Sequence, residues 1–242
     1  MTRFVVAHLT DCHMGATDEA PARLRRALAH VAACSPQPDV LVLSGDLADH
    51  GLDAEYELAA ELLSTVAIPL VACPGNHDVR ARFVHHLGPA ESVVDVGEHR
   101  LVALNSLVDA AEGERIDPGE LSEDSLRLLD EALAAGRPTF VAVHHPPVDL
   151  HVDLMDPIKL TAPERLAAVF SRHDNVVAVL VGHAHTMAAT TFAGVPVLVG
   201  GGLVSTVTTD AEDMPQIDYS QPPTIALHLV EDGHLVTHWR VV

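Results

Sequence analysis

Positive charge is scarce in this sequence. Its 242 residues hold 14 lysines and arginines against 34 aspartates and glutamates, a net charge of −20 at pH 7. A nucleic-acid coat or an anionic membrane surface needs clustered Lys and Arg, so neither long nucleic acid nor a membrane is expected as a partner. A small phosphate ester stays possible, because bound metal ions can neutralise a site locally. Aromatic residues make up only 3% of the chain, so its core must be built from Val, Leu and Ala. Cysteine is limited to Cys12, Cys34 and Cys73, an odd number without framework spacing, which predicts reduced thiols and a cytoplasmic location. No apolar run approaches the ~20 residues of a membrane span. The apolar stretch behind Arg3, Phe4-Val5-Val6-Ala7, is too short for a signal-peptide core. What is present is 48% hydrophobic residues, enough for a packed globule, and a length that suits one α/β domain over 1–242.

Apolar runs alternate with helical patterns. Residues 3–9, 39–43 and 68–72 read as strands, with amphipathic helices over 19–34 and 53–65 between them. This βαβαβ opening predicts a parallel sheet with helices on its faces, and right-handed crossovers gather the loops after the strands along one edge. The middle reads as an antiparallel pair, 91–96 and 100–105, then a helix at 119–135 and a strand at 138–143. A helix follows at 162–172, with Thr161 as N-cap and Pro163 in its first turn, and then a strand at 176–181. Runs at 187–193, 195–200, 224–230 and 234–240 predict a terminal β meander. Two stretches, 146–160 and 203–223, lack periodicity. Both follow strands that end near the motifs below, and each is either a wall of a substrate site or a variable surface loop. The second is also a candidate cap or homodimer contact.

Five polar motifs stand directly behind predicted strands: Asp11-Cys12-His13, Gly45-Asp46-Leu47-Ala48-Asp49, Pro74-Gly75-Asn76-His77-Asp78, His144-His145-Pro146-Pro147 and Gly182-His183-Ala184-His185. In an extended continuation Asp11 and His13 point the same way, so both can face one ion. Asp46 ends a buried strand, where a carboxylate must be paired or bound to a cation, and its two oxygens can bridge two metals. Pro74-Gly75 makes a tight turn that displays Asn76, His77 and Asp78 at one strand end; an Asx turn alone would also explain that run. A lone histidine beside a strand is usually a satisfied one, but here two further strands end in pairs of histidines. Asp11, His13, Asp46 and Asn76, with the histidines of the two later motifs, His144, His145, His183 and His185, supply N and O donors for two divalent ions, with no thiolate, a set suited to Mn²⁺, Fe²⁺/Fe³⁺ or Zn²⁺.

In this order and at strand ends, the five motifs resemble the calcineurin-like metallophosphoesterase superfamily over most of the chain, Asp11 to His185. Within it, Gly75-Asn76-His77-Asp78, His144-His145-Pro146-Pro147 and Met155-Asp156-Pro157-Ile158 look like the bacterial class III cyclic nucleotide phosphodiesterases and their glycerophosphodiesterase relatives. Asp78 and His50-Gly51 stand where protein phosphatases of the superfamily carry Glu and Arg-Gly. The resemblance implies an α/β sandwich of two mixed β-sheets packed face to face and flanked by helices, with the tail strands completing the second sheet. It implies that Asp11, His13 and His185 hold one metal, that Asn76, His144 and His183 hold the other, and that Asp46 bridges them. Spacing does not decide which of His144 and His145 coordinates. His77 is implied as a catalytic group and Asp49 as the carboxylate that pairs with it and favours its protonated form.

The implied reaction is hydrolysis of a small phosphodiester by attack of a metal-bridging hydroxide, with His77 serving the leaving oxygen. The leading substrate is 3′,5′-cyclic AMP. A glycerophosphodiester, a 2′,3′-cyclic nucleotide or a broad range of diesters is the alternative, and a non-catalytic metal-binding scaffold is a third reading. Arg80, just behind the Asn-His-Asp run, and His151, in the 146–160 stretch, are candidate substrate contacts or ordinary surface residues. His8, Cys12 and Cys73 read as structural.

Overall fold

The computed structural model describes residues 3–111 and 113–242. The βαβαβ opening is there: β1 (Phe4–Leu9), α1 (Ala20–Ala33), β2 (Val40–Ser44), α2 (Asp53–Leu63) and β3 (Leu70–Cys73). A short helix α3 (Arg80–Leu87) comes next, then β4 (Ser92–Val96), β5 (His99–Ala103), α4 (Glu123–Leu133), β6 (Thr139–Ala142), α5 (Pro163–Phe170) and β7 (Val176–Val181). The last part holds β8 (Ala188–Phe192), β9 (Val195–Val199), a ribbon of β10 (Thr206–Val207) and β11 (Ile217–Asp218), and finally β12 (Thr224–Glu231) and β13 (His234–Val241).

Two mixed sheets form. One runs β13-β12-β1-β2-β3 and the other β4-β5-β6-β7-β9-β8. Alternation along the strands assigns each face. Phe4, Val6, Val40, Val42 and Val71 of the first sheet pack with Leu101, Ala103, Phe140, Ala142, Ala178 and Leu180 of the second, filling the space between the sheets. The opposite faces pack outward: Ala7, Leu9, Leu41 and Leu43 against Leu24, Leu28 and Tyr56 of α1 and α2, and Val102, Val141, Val179 and Val197 against Leu129, Leu133, Leu166 and Phe170 of α4 and α5. Strand β2 is buried along its whole length because both its faces are covered.

Three expectations change. The tail strands divide between the sheets. The β8–β9 hairpin extends the second sheet, whereas β12 and β13 return to the first, β12 pairing antiparallel with β1 from Phe4↔Val230 to His8↔Ala226. That pairing closes the edge of β1 that the parallel β1–β2 ladder leaves open. The N-cap of α5 is Ala162, in a left-handed turn with φ 47°, while the Thr161 hydroxyl donates to the Gly119 carbonyl instead. Helix α3 was not expected; it buries Phe83 alone, so its periodic signal is weak.

Candidate metal centre

The five motifs follow the C-terminal ends of β1, β2, β3, β6 and β7, and the crossovers bring those ends to one side of the sandwich. The backbone there is not extended. Asp11, His13, Asp46, His183 and His185 all have positive φ, between 41° and 67°. Such left-handed residues cost free energy in non-glycine positions and concentrate at functional sites. Asp11 and His13 therefore face one point by paired left-handed turns, not by extended alternation. Gly75 permits the close approach: a Cβ there would collide with the Asp46 carboxylate and lie 2.7 Å from His144 Nε2.

Each carboxylate is held by protein donors and turns one oxygen toward the histidines, although the His183 amide also lies 3.2 Å from Asp11 Oδ1. Asp11 Oδ2 accepts the Thr10 hydroxyl at 2.7 Å and the His183 amide at 3.1 Å. Its Oδ1 lies 3.2 Å from His185 Nε2 and 3.9 Å from His13 Nε2. Asp46 Oδ1 accepts the His77 amide at 2.9 Å. Its Oδ2 stands between two groups, 3.5 Å from His13 Nε2 and 3.3 Å from His144 Nε2. One oxygen of Asp46 thus faces both groups of side chains.

The histidines are oriented by their far nitrogens. His144 Nδ1 donates to the Ser44 carbonyl at 2.7 Å, which leaves a lone pair on Nε2 facing Asn76 Oδ1 at 3.0 Å. Asn76 donates Nδ2 to Asp117 at 3.3 Å, so its oxygen faces inward, also 3.0 Å from His183 Nδ1. His13 Nδ1 donates to Asp49 Oδ1 at 2.9 Å, which aims its Nε2 at His185 Nε2, 3.0 Å away. His185 Nδ1 is held by the Ser205 hydroxyl at 2.8 Å. Two groups of carboxylate, amide and imidazole atoms thus crowd together around Asp46 Oδ2, an arrangement that a cation among them favours, and locked far nitrogens are how proteins orient metal-binding imidazoles. The donor set fits two divalent ions.

The charge states agree. Burial alone would raise the Asp46 carboxyl, but His144, His77 and His13 outweigh it and hold the group well below the usual carboxylate range. Burial, and then its neighbours His145 and His144, keep His183 neutral. Burial also opposes a charge on His144, but Asp46 beside it pushes that imidazole up to about 9, the site's own partial answer to its crowded lone pairs. His145 lies within 4.8 Å of the His144 and His183 donors. Both its nitrogens are engaged, with Ser106 Oγ at 2.7 Å and the Asp117 carbonyl at 2.9 Å, so His144 is the histidine that faces Asp46.

Asp49 has a second partner beside the one expected. Its carboxylate is 2.9 Å from His13 Nδ1 but 3.5 Å from His77 Nδ1, and His77 is held by the Asp49 backbone carbonyl at 3.0 Å. Burial opposes a charge on His77, yet Asp46 and Asp49 together raise its pKa. Arg80 does not reach the site: its guanidinium binds Asp109 and the Leu107 carbonyl, fastening α3 to the following loop. His151 is exposed and lines no part of the cleft.

Four contributors were missed. Asp78 is buried and accepts the amides of Leu47, Ala48 and Gly75, tying the Asp46 loop to the Asn76 turn. Burial and the nearby Asp46 charge raise its pKa to about 6. Its place in the Asn-His-Asp run was a usable signal. Ser205, Arg115 and Asp117 lie in aperiodic loops that gave none. Above the donors opens a cleft of about 280 Å³. One wall is Leu154, Met155 and Ile158 from the 146–160 stretch; the other is Val204, Val207, Ile217 and Tyr219 from 203–223.

The family model described as calcineurin-like phosphoesterase matches residues 4–187. A protein of Rhodococcus erythropolis named as a probable cyclic nucleotide phosphodiesterase is 34% identical over 226 residues, covering 86% of this chain and 73% of its own. A glycerophosphodiester phosphodiesterase of Enterobacter lignolyticus is 30% identical over 207 residues, covering 79% of this chain and 72% of its own. A dimetal phosphatase from Danio rerio superposes with a TM-score of 0.76 over 98% of this chain and 96% of that one, a likeness of fold at 15% identity.

Proposed function

The chain belongs to the calcineurin-like phosphoesterase family and is a metal-dependent phosphodiester hydrolase, and from that premise we propose that it hydrolyses small 3′,5′-cyclic nucleotides, cyclic AMP first. The observation that carries this reading is a small cleft with a donor-lined floor and apolar walls. The floor suits a phosphoryl group and the walls suit a base. Tyr219, one of two tyrosines in a chain poor in aromatics, stands on the wall where a base would stack. With Asn76 on the floor the only Asn or Gln lining the cleft among the described residues, an adenine is held by its faces and not by its edge. That feature also favours a second reading, a linear diester such as a glycerophosphodiester, which needs no base edge.

In this reading Asp11, His13 and His185 would hold one divalent ion, Asn76, His144 and His183 would hold the other, and Asp46 would serve both. When bound, such a pair draws charge from phosphoryl oxygens and lowers the pKa of water. Water adds to phosphorus and one ester P–O bond breaks, so the leaving oxygen needs a proton. His77 supplies it. Its Nδ1–H donates to the Asp49 carbonyl, leaving Nε2 to carry the transferable proton into the cleft. Asp49 acts chiefly through His13, fixing the tautomer that presents Nε2.

The test is kcat/KM of Mn²⁺-reconstituted protein for cyclic AMP, glycerophosphocholine and bis(p-nitrophenyl) phosphate. A clear preference for cyclic AMP is expected. Faster cleavage of glycerophosphocholine overturns the cyclic-nucleotide reading in favour of the linear one. Metal-replete protein that cleaves none of the three would point to a scaffold.

A further inference from the structure

Arg115 lies between β5 and α4, in a stretch without periodicity, yet it is the single Lys or Arg among the described residues lining the cleft. Its Nη1 is 2.8 Å from Nε2 and 3.0 Å from Nδ1 of His77. Its Nε donates to Asp117 Oδ1, the oxygen that also accepts the Asn76 amide. The Asp117 carbonyl in turn accepts His145 Nε2. One acidic residue thus fixes a guanidinium relative to a candidate metal ligand and to the histidine behind it. Asp117 is the one carboxylate in ion-pair range of Arg115 among the described residues, so most of the five N–H donors of the fork remain free.

His77 Nδ1 already has a partner in the Asp49 carbonyl, so Nε2 is the atom that meets Arg115. A guanidinium and the ring nitrogen that faces the cleft converge on one point. The chemistry both recognise there is an anionic oxygen. We propose that Arg115 is a substrate-binding catalytic residue that holds a non-bridging phosphoryl oxygen beside His77, with Asp117 as its positioning residue. The proposal rests on the reading of the cleft as a phosphodiester site. Arg115 Nη1 and His77 Nε2 are too close for an oxygen between them, so the oxygen takes a free N–H of the guanidinium beside the ring while Nε2 keeps its proton for the leaving oxygen, and Arg115 carries charge that the metal ions alone would have to neutralise. A planar fork suits this task better than an ammonium, because it reaches the oxygen while still bound to Asp117.

The experiment compares Arg115→Gln and Arg115→Lys with the parent, each reconstituted with Mn²⁺. Arg115→Gln is expected to lower kcat/KM by about 10²–10³-fold, the usual loss on removing one fixed donor at a developing charge. The loss should be of similar size for cyclic AMP and bis(p-nitrophenyl) phosphate, since both present the same phosphoryl group. Inhibition by inorganic phosphate should weaken about tenfold, as expected for losing one charge-assisted hydrogen bond. Arg115→Lys should recover part of both losses. Metal content and thermal midpoint should not change. A loss confined to cyclic AMP would place Arg115 against the nucleoside and overturn the assignment. So would a change below about twofold, or loss of metal from Arg115→Gln, which would make the residue a support for Asn76. An inactive parent would reject the phosphodiester reading itself, and phosphate binding to the two variants, measured calorimetrically, would still decide the role of Arg115.

Discussion

On the floor of the cleft, Asp11, Asp46, Asn76 and His144 are between 0 and 4% exposed, and each has a second polar atom tied to protein. On the walls, Ile217 and Tyr219 stand 43% and 51% exposed. The 203–223 wall is held chiefly at its base, where Arg23 of α1 donates to the carbonyls of Leu203, Tyr219 and Gln221. The floor is thus a buried polar device and the walls an apolar envelope that opens to solvent at Ile217 and Tyr219. Within one family the floor sets the reaction and the walls select the substrate, because only the floor meets the group that every substrate shares.

The largest expected losses come from breaking the floor. Asp46→Ala removes the oxygen common to both donor groups, so metal and activity should fall together, by at least about 10²–10³-fold in kcat/KM. His77→Ala should cut turnover by about 10²–10⁴-fold, the range of a lost general acid, while metal is retained. Elemental analysis of both proteins separates the two roles. A metal-free His77→Ala protein would sink that division.

Beneath the floor a layer of neutral histidines makes its support sensitive to acid. His8 Nε2 meets Ser44 Oγ at 2.7 Å, and His8 Nδ1 faces His228 Nε2 at 3.2 Å. Burial lowers His8 to about 4, and burial and the neighbouring His8 hold His228 well below an ordinary histidine. The unfolded chain therefore binds more protons than the folded one once the pH falls below about 6.5. Stability is fully present above that value and is lost as the pH falls toward 4, by ~3 kcal/mol for His8 alone at 1.36 kcal/mol per unit. Urea midpoints in chelator between pH 7 and pH 4.5 should fall accordingly, and less steeply in His8→Asn. A slope unchanged by that substitution would remove His8 from the account.

Floor and wall meet at Ser205, whose hydroxyl holds His185 Nδ1. Ser205→Ala should weaken metal binding about 10–100-fold, the range for losing a group that orients a ligand. Competition with a chelator measures it. Retention of full affinity would mean that Asp11 alone fixes the His185 ring.

How much of this was legible follows the same division. The floor could be read because strand ends are visible as apolar runs and the donors stand within a few residues of them; Asp11, Asp46, Asn76 and His144 needed only the strand order to converge. The second partner of Asp49, His13 at 2.9 Å beside His77 at 3.5 Å, could not be read, since it depends on the left-handed turns at His13 and Asp46. The return of β12 to β1 was hidden because a buried alternating strand fits either sheet. Arg115, Asp117 and Ser205 were invisible because loops carry no period, and a residue there gains its meaning only from what the fold sets opposite it.

The smallest effect is expected at the wall, and it sharpens the comparison most. If the walls only select, Tyr219→Ala should leave the chemistry of the floor alone. A base stacked on an aromatic ring contributes about 1–3 kcal/mol, so KM for cyclic AMP should rise about tenfold or somewhat more, with kcat nearly constant. Glycerophosphocholine has no ring to stack, and its kcat/KM should stay within about twofold. Equal losses on both substrates would mean that the Tyr219 side chain supports the shape of the 203–223 wall and does not meet a base. Tyr219→Phe isolates the hydroxyl, because it keeps the ring and removes only that group. Parent-like kinetics in Tyr219→Phe beside a cyclic-AMP-specific defect in Tyr219→Ala would assign the residue to base stacking.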